Sequence, residues 1–210
     1  MSALRRIGWL IGDRGYRNYV RERLLARLGY SFDFWGRVDC YLAWDRWLAA
    51  LPLAELDLLE VSPGANSRWQ GLGLRSYRGV QYPEFDLCAM TTGDNYDIVI
   101  ADNVFEHLRH PCRAARNVHA MLKPGGQFLI STPFLVRVHA EPDDYTRWSE
   151  AGLKGLLEDC GFEPQWIETG AWGNRACVKA NLDRWAYLGW GRDRTNEPDY
   201  PVTVWARARK

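Results

Sequence analysis

The run His139-Ala-Glu-Pro-Asp-Asp144-Tyr-Thr-Arg147-Trp148 places an imidazole, two adjacent carboxylates, a guanidinium and an indole in one short stretch. An imidazole with a pKa near 6.5 can take a proton from a hydroxyl at neutral pH. Adjacent carboxylates such as Asp143 and Asp144 can accept the O–H groups of a polyhydroxylated acceptor, and an indole offers a flat apolar platform. This pattern offers His139 as a candidate general base, with Asp144 as the catalytic-site carboxylate that, like Asp143, could hold the acceptor's hydroxyls. The competing reading is that Asp143 or Asp144 caps the following helix or pairs with Arg147, with His139 pinning the loop. Asp102, His139, Asp143 and Asp144 could together hold Mg²⁺ through hard donors, but these scattered residues lack diagnostic metal spacing. The expectation is therefore a reaction without metal, with Mg²⁺ as the weaker reading.

A second constellation is Leu56-Asp-Leu-Leu-Glu60-Val-Ser-Pro-Gly64-Ala-Asn-Ser67, an apolar strand ending in an acid and then a tight turn. Asn66 or Ser67 is expected to cap a following helix. A small-residue turn at the carboxyl end of a strand lets backbone N–H groups approach a ligand. Neither the three-glycine dinucleotide fingerprint nor a Gly-Lys-Ser/Thr phosphate loop is present. Five cysteines are widely scattered and never in Cys-x-x-Cys spacing, which indicates reduced thiols rather than disulfides or zinc.

The elements that must position these residues alternate. Apolar runs at 56–61, 77–82, 96–101 and 127–132 read as strands, with helical patterns between several of them. A helix-rich stretch at 103–122 is interrupted at His110-Pro111, and Lys123-Pro-Gly-Gly126 breaks it before the next strand. Another helix is expected from Ser149 to Cys160, stopped by Gly161. The tail reads as a helix at 176–188, a polar turn at 191–198 and a strand at 202–206 that would extend the sheet's edge. Ahead of these, helices are expected at 16–29 and 39–51, the second ended by Pro52. The predicted fold class is α/β, a Rossmann-like, doubly wound, mostly parallel sheet with helices on both faces and an N-terminal helical cap. The division expected is a cap at 1–55 and a main domain at 56–210.

The whole-chain balance restricts function further. The 210 residues carry 27 Lys and Arg against 26 Asp and Glu, so the broad cationic field that nucleic acid or anionic membranes require is absent. No apolar run is long enough to span a bilayer, and the first residues have too short an apolar stretch for a signal peptide, so a cytoplasmic location is expected. The front helices are expected either to cover the site or to form a homodimer seam. Eleven tryptophans are many for this length; most are expected to be packing residues, with a few facing the cleft.

The middle of the chain carries a resemblance. Tyr96-Asp-Ile-Val-Ile-Ala-Asp-Asn-Val-Phe-Glu-His-Leu108, then His110-Pro111, a helix, Leu122-Lys-Pro-Gly-Gly126 and Phe128-Leu-Ile-Ser-Thr-Pro133 resembles the core of class I S-adenosylmethionine-dependent methyltransferases. The resemblance covers about residues 56 to 163. It implies S-adenosylmethionine as cofactor, with Glu60 as the first-strand acid and Gly64 as the loop glycine that lets the backbone pass the methionine end. Ser62 and Asn66 stand where the family usually has glycine. Tyr82 or Glu84 would serve the ribose, Asp86 and the backbone of Leu87 the adenine, and Asp102 and Asn103 the cofactor and the opening to the acceptor. The Glu106-His107 pair matches a common family pair, with His107 expected on a helix packed behind the site. The segment from Thr132 to Arg147 resembles a subgroup with a Thr-Pro-Phe…His…Pro-x-Asp-Tyr…Arg pattern, which would put His139 beside the transferred methyl group. The implied activity is O-methylation of a small molecule, a sugar, oligosaccharide or glycosylated metabolite. The alternatives are N- or C-methylation of another small molecule, or a silent cofactor-binding protein of the same fold.

Overall fold

The computed structural model describes residues 24–64 and 67–210. Within them the chain forms β1 (Ser31–Phe34), α1 (Val38–Ala49), β2 (Asp57–Val61), β3 (Ser76–Val80), β4 (Tyr96–Asp102), α2 (Pro111–Met121) and β5 (Leu122–Pro133). It continues with α3 (Glu150–Asp159), β6 (Ile167–Trp172), α4 (Arg175–Ala180), β7 (Tyr187–Gly189) and β8 (Thr203–Arg209). Only the end of the helix expected at 16–29 falls inside the described residues.

Six strands form one sheet in the order β3-β2-β4-β5-β8-β6. The first four run parallel, whereas β8 is antiparallel to both of its neighbours. Period-two alternation divides the strand residues between two cores. Leu59, Val61, Val99, Ala101, Phe128 and Ile130 face α2 and α3. Leu58, Ile98, Ile100, Leu129 and Trp205 face α1 on the other side. Because both faces are covered, β2 and β4 read as nearly continuous apolar runs. Each fully buried aliphatic side chain here contributes about 1.5–3 kcal/mol.

Helix ends follow local chemistry. Pro111 occupies the first turn of α2, where its missing N–H is not needed. The Ser149 hydroxyl accepts the Gly152 N–H at 3.2 Å to start α3, and Gly161 with φ +103° lies just past its end.

Four expectations are corrected. The helix expected after Ser67 does not form, and residues 67–75 are turns and extended chain instead, because the Ser67 hydroxyl bonds to Glu60 and to the Trp69 N–H. Lys123–Gly126 lies inside β5 as a bulge, between the pairs Tyr96 with Leu122 and Ile98 with Gln127. There Gly126 is forced by space, since a Cβ would lie 3.0 Å from the Tyr96 carbonyl oxygen. In the tail, helix α4 stops at Ala180, as Asn181 turns its side chain to the Cys177 carbonyl and the Ala186 N–H. The terminal strand is not an edge addition: β8 inserts between β5 and β6, and β6 takes the edge. The β7 strand pairs with β1 as a separate two-stranded ribbon.

Candidate active site

Strands β2, β3 and β4 end on the same edge of the sheet, and the loops that follow them enclose a cleft of about 740 Å³. That volume suits a cofactor-sized ligand. Ser62 and Gly64 form one wall, Tyr82, Asp86 and Leu87 a second, and Asn103 and His107 a third. Two of the turns use the left-handed region: Ser62 has φ 54° and Asn103 has φ 53°. Asparagine adopts this conformation readily, whereas serine is a less usual occupant. Asn103 is locked there by its side-chain amide, which donates to Asp102 at 2.7 Å and to the Ser131 hydroxyl at 2.9 Å.

Beyond Asn103 the chain makes a single tight turn, Phe105–His107, and the loop after β5 lies along it. The Tyr145 N–H donates to the Glu106 carbonyl at 2.7 Å, and this contact brings His139 to His107. The two rings meet edge to face with centroids 5.0 Å apart. Trp185 packs edge-on against the other side of His139 at 5.1 Å. Between the two imidazoles is the Glu106 carboxylate, fully buried, neither of its oxygens having a hydrogen-bond partner. The Glu106 carboxylate holds the His139 pKa above the ordinary imidazole value, against the opposing effect of burial. His139 also borders a cavity of about 20 Å³ lined by Phe34, Arg37 and Trp185, and Asn103 belongs to both this cavity and the main cleft.

A family model described as a methyltransferase domain matches residues 43–165, more than half of the chain. The chain belongs to the methyltransferase-domain family. Among solved structures, a chain of the complex between the Haloferax volcanii Trm112 methyltransferase activator and a putative methyltransferase is similar at 16% identity and a TM-score of 0.55, over 96% of each chain. Burkholderia thailandensis 1,6-didemethyltoxoflavin-N1-methyltransferase, solved with S-adenosylhomocysteine, aligns over 100% of this chain and 91% of its own at 14% identity and a TM-score of 0.53. Haemonchus contortus phosphoethanolamine N-methyltransferase 2, solved with S-adenosyl-L-methionine, aligns over 80% of this chain and 52% of its own at 13% identity and a TM-score of 0.55. No curated protein matches the sequence. The fold is thus one shared with methyltransferases solved with S-adenosyl-L-methionine or S-adenosylhomocysteine.

The cleft of the methyltransferase fits that cofactor. Leu87 and Phe85 supply apolar surface, Asp86 and Tyr82 polar groups, and a Cβ built at Gly64 meets no atom of the described residues within 4 Å. Ser62, Gly64, Tyr82, Asp86, Leu87 and Asn103 therefore stand around one space. Three further residues named from sequence do not line it. Glu60 points to the opposite face, where the Ser67 hydroxyl and the Tyr77 hydroxyl, the latter at 2.6 Å, donate to it. Glu84 is exposed to solvent. Asp102 turns away to accept from Tyr41 at 2.8 Å and from Ser131 at 2.5 Å.

The acceptor end also differs from expectation. His107 is not behind the site; it lines the cleft beside His139. Asp144 forms a two-pronged ion pair with Arg147 and accepts the His139 backbone N–H at 2.8 Å. Arg147 holds its carboxyl down at about 2 against the effect of burial. Asp144 is thus committed to the loop. The set Asp102, His139, Asp143 and Asp144 does not assemble, because Asp102 is engaged by Tyr41 and Ser131. Trp148 is buried in the core against α3 and offers no platform; Trp185 is the indole beside His139. Glu106 is the residue that sequence reasoning passed over, although the Glu106-His107 pair was visible as a motif.

Proposed function

We propose that the methyltransferase acts on a hydroxyl of a small molecule, a sugar, oligosaccharide or glycosylated metabolite. The observation that carries this reading is the pair of imidazoles meeting over the buried Glu106 carboxylate at the end of the cleft. A hydroxyl is a weak nucleophile until its proton is drawn away, and such a cluster is suited to that work. S-adenosylmethionine supplies a methyl group carried on a sulfonium.

The chain's residues then divide the remaining tasks. Ser62 and Gly64 admit the cofactor's methionine end by presenting backbone rather than bulky side chains. Asp86, Leu87 and Tyr82 hold the adenosine end. Asn103, shared between the cleft and the small cavity, separates cofactor from acceptor. His139 activates the acceptor's hydroxyl, and Asp144 with Arg147 is a positioning pair that fixes the loop carrying it. Asp143 and Tyr145 line the cleft beside His107 and can bond to further hydroxyls of a sugar.

The test is a panel of mono- and oligosaccharides, phenols, carboxylic acids and amines, incubated with the protein and methyl-labelled cofactor. Methylated saccharide is expected, and His139→Ala should lower turnover about 10² to 10⁴-fold with cofactor affinity nearly kept. Turnover of amines or carboxylic acids with no methylated saccharide would overturn the sugar reading, and cofactor binding without any turnover would overturn the catalytic one.

A further inference from the structure

We propose that Glu106, His107 and His139 form a site for a divalent transition-metal cation of the zinc, manganese or iron(II) class. One ligand atom from each of the three lies within 4.8 Å of the others. The His107 Nε2 is 3.6 Å and the His139 Nε2 3.8 Å from the same oxygen, Glu106 Oε1. These separations are too long for hydrogen bonds. They are close to the edge of a tetrahedral site, about 3.4 Å for ligands about 2.1 Å from one ion.

Three further features point the same way. Both carboxylate oxygens of Glu106 lack any donor while the side chain is fully buried, a costly state for a charge unless an ion or a proton compensates it. The imidazoles are oriented by their other nitrogens: His107 Nδ1 is 2.6 Å from the Asp143 carbonyl and His139 Nδ1 is 3.3 Å from the Arg137 carbonyl. A carbonyl can only accept, so the His107 Nδ1 carries the hydrogen; the His139 Nδ1 lies between the Arg137 carbonyl and, at 3.5 Å, the Arg147 guanidinium, and in both rings it is Nε2 that faces Glu106, where a cation would take the place of a proton. That arrangement, a backbone carbonyl fixing the tautomer of a ligating histidine, is how metal sites orient their ligands. Two imidazoles and one carboxylate suit a transition metal better than Mg²⁺, which prefers oxygen alone. Three protein ligands also leave a position for an acceptor oxygen, whose pKa falls on coordination.

The inference deepens the proposed function and rests on it for the cation's role: a hydroxyl bound to the cation would lose its proton to water, its oxygen would take the sulfonium methyl with S-adenosylhomocysteine leaving, and His139 would serve as a ligand in place of the base. Its test does not depend on the acceptor. Chelator-stripped protein, without cofactor or substrate, is titrated with Zn²⁺ by calorimetry and with Co²⁺ by visible absorption, which reports imidazole ligation. One equivalent bound is expected, weakened at least tenfold by Glu106→Gln, His107→Ala and His139→Ala and unchanged by His119→Ala. Circular dichroism identifies any variant that fails to fold, and Glu106→Gln, nearly isosteric, carries the test if a histidine variant does. No binding at millimolar Zn²⁺, or binding that Glu106→Gln leaves unchanged, overturns the site. If the cation binds but the saccharide panel gives no product, the acceptor assignment fails and the site stands.

Discussion

A carboxylate that is fully buried with no donor costs stability, and Glu106 is held in that state between two imidazoles. Its amide isostere carries no charge, so the same burial costs it less. Glu106→Gln is therefore expected to be more stable than the parent in metal-free buffer, by about 1–3 kcal/mol, while losing turnover. Denaturant unfolding of both proteins checks this, and a less stable Gln variant would show that the carboxylate is already compensated. Gly64 is the opposite case. A side chain there meets nothing in the described residues, so Gly64→Val should leave the unfolding midpoint near that of the parent and weaken S-adenosylhomocysteine binding at least tenfold by calorimetry. At this scale much of the cleft was legible: strand ends followed by small or amide residues mark Ser62, Gly64 and Asn103, and all three line it. Glu60, Asp102 and Glu106 show what sequence cannot supply. Which face a strand-end acid takes depends on partners distant in sequence, Tyr77 for Glu60 and Tyr41 for Asp102.

Helix α4 illustrates the same point for elements. Its start depends on Asn174, whose side-chain oxygen accepts the Cys177 N–H at 2.7 Å and whose amide donates to the carbonyls of Asp193 and Thr195. One buried residue thus caps a helix and fastens the polar turn that leads into β8. Asn174→Ala is expected to cost about 1–2 kcal/mol, since it removes the cap and two bonds to the turn, while the exposed Thr195 carbonyl can turn to water and the Asp193 carbonyl keeps the Trp35 indole N–H at 3.0 Å. Thermal unfolding measures the loss, and unchanged S-adenosylhomocysteine affinity would place it outside the site. The sequence revealed α1, α2, α3 and the four parallel strands through periodicity and their Pro and Gly boundaries. It misplaced the tail. Val202–Ala206 is apolar in any sheet position, and only the pairing of β8 with both β5 and β6 decides that it is interior.

Across the whole molecule the two ends of the sheet do different work. The carboxyl end holds the cleft, while the amino end is tied by charge: Lys123 donates to Asp57 at 2.8 Å and to Asp97 at 2.7 Å, and Arg75 pairs with Asp57. These contacts join the starts of β2, β4 and β5 to the residue before β3. Hydrogen bonds from Arg75 first and Lys123 next hold the Asp57 carboxyl far below the usual carboxylate range. A carboxyl whose folded pKa lies below its unfolded value, about 3.9, contributes stability that is complete above that value and is lost as pH falls below it. Lys123 is raised by the same contacts, so its contribution persists until the pH exceeds the normal lysine range, about 10.4. The network is therefore complete from about pH 5 to pH 9, and acid weakens it first. Asp57→Asn should be less stable than the parent at pH 7, with the difference shrinking as pH is lowered from 5 toward 2. Urea midpoints across that range give the comparison. A constant difference between the two proteins would mean that Asp57 is not the group whose protonation loosens the amino end. Because this network and the cleft lie at opposite ends of the strands, S-adenosylhomocysteine affinity at pH 7 should be the same in both proteins wherever both are folded.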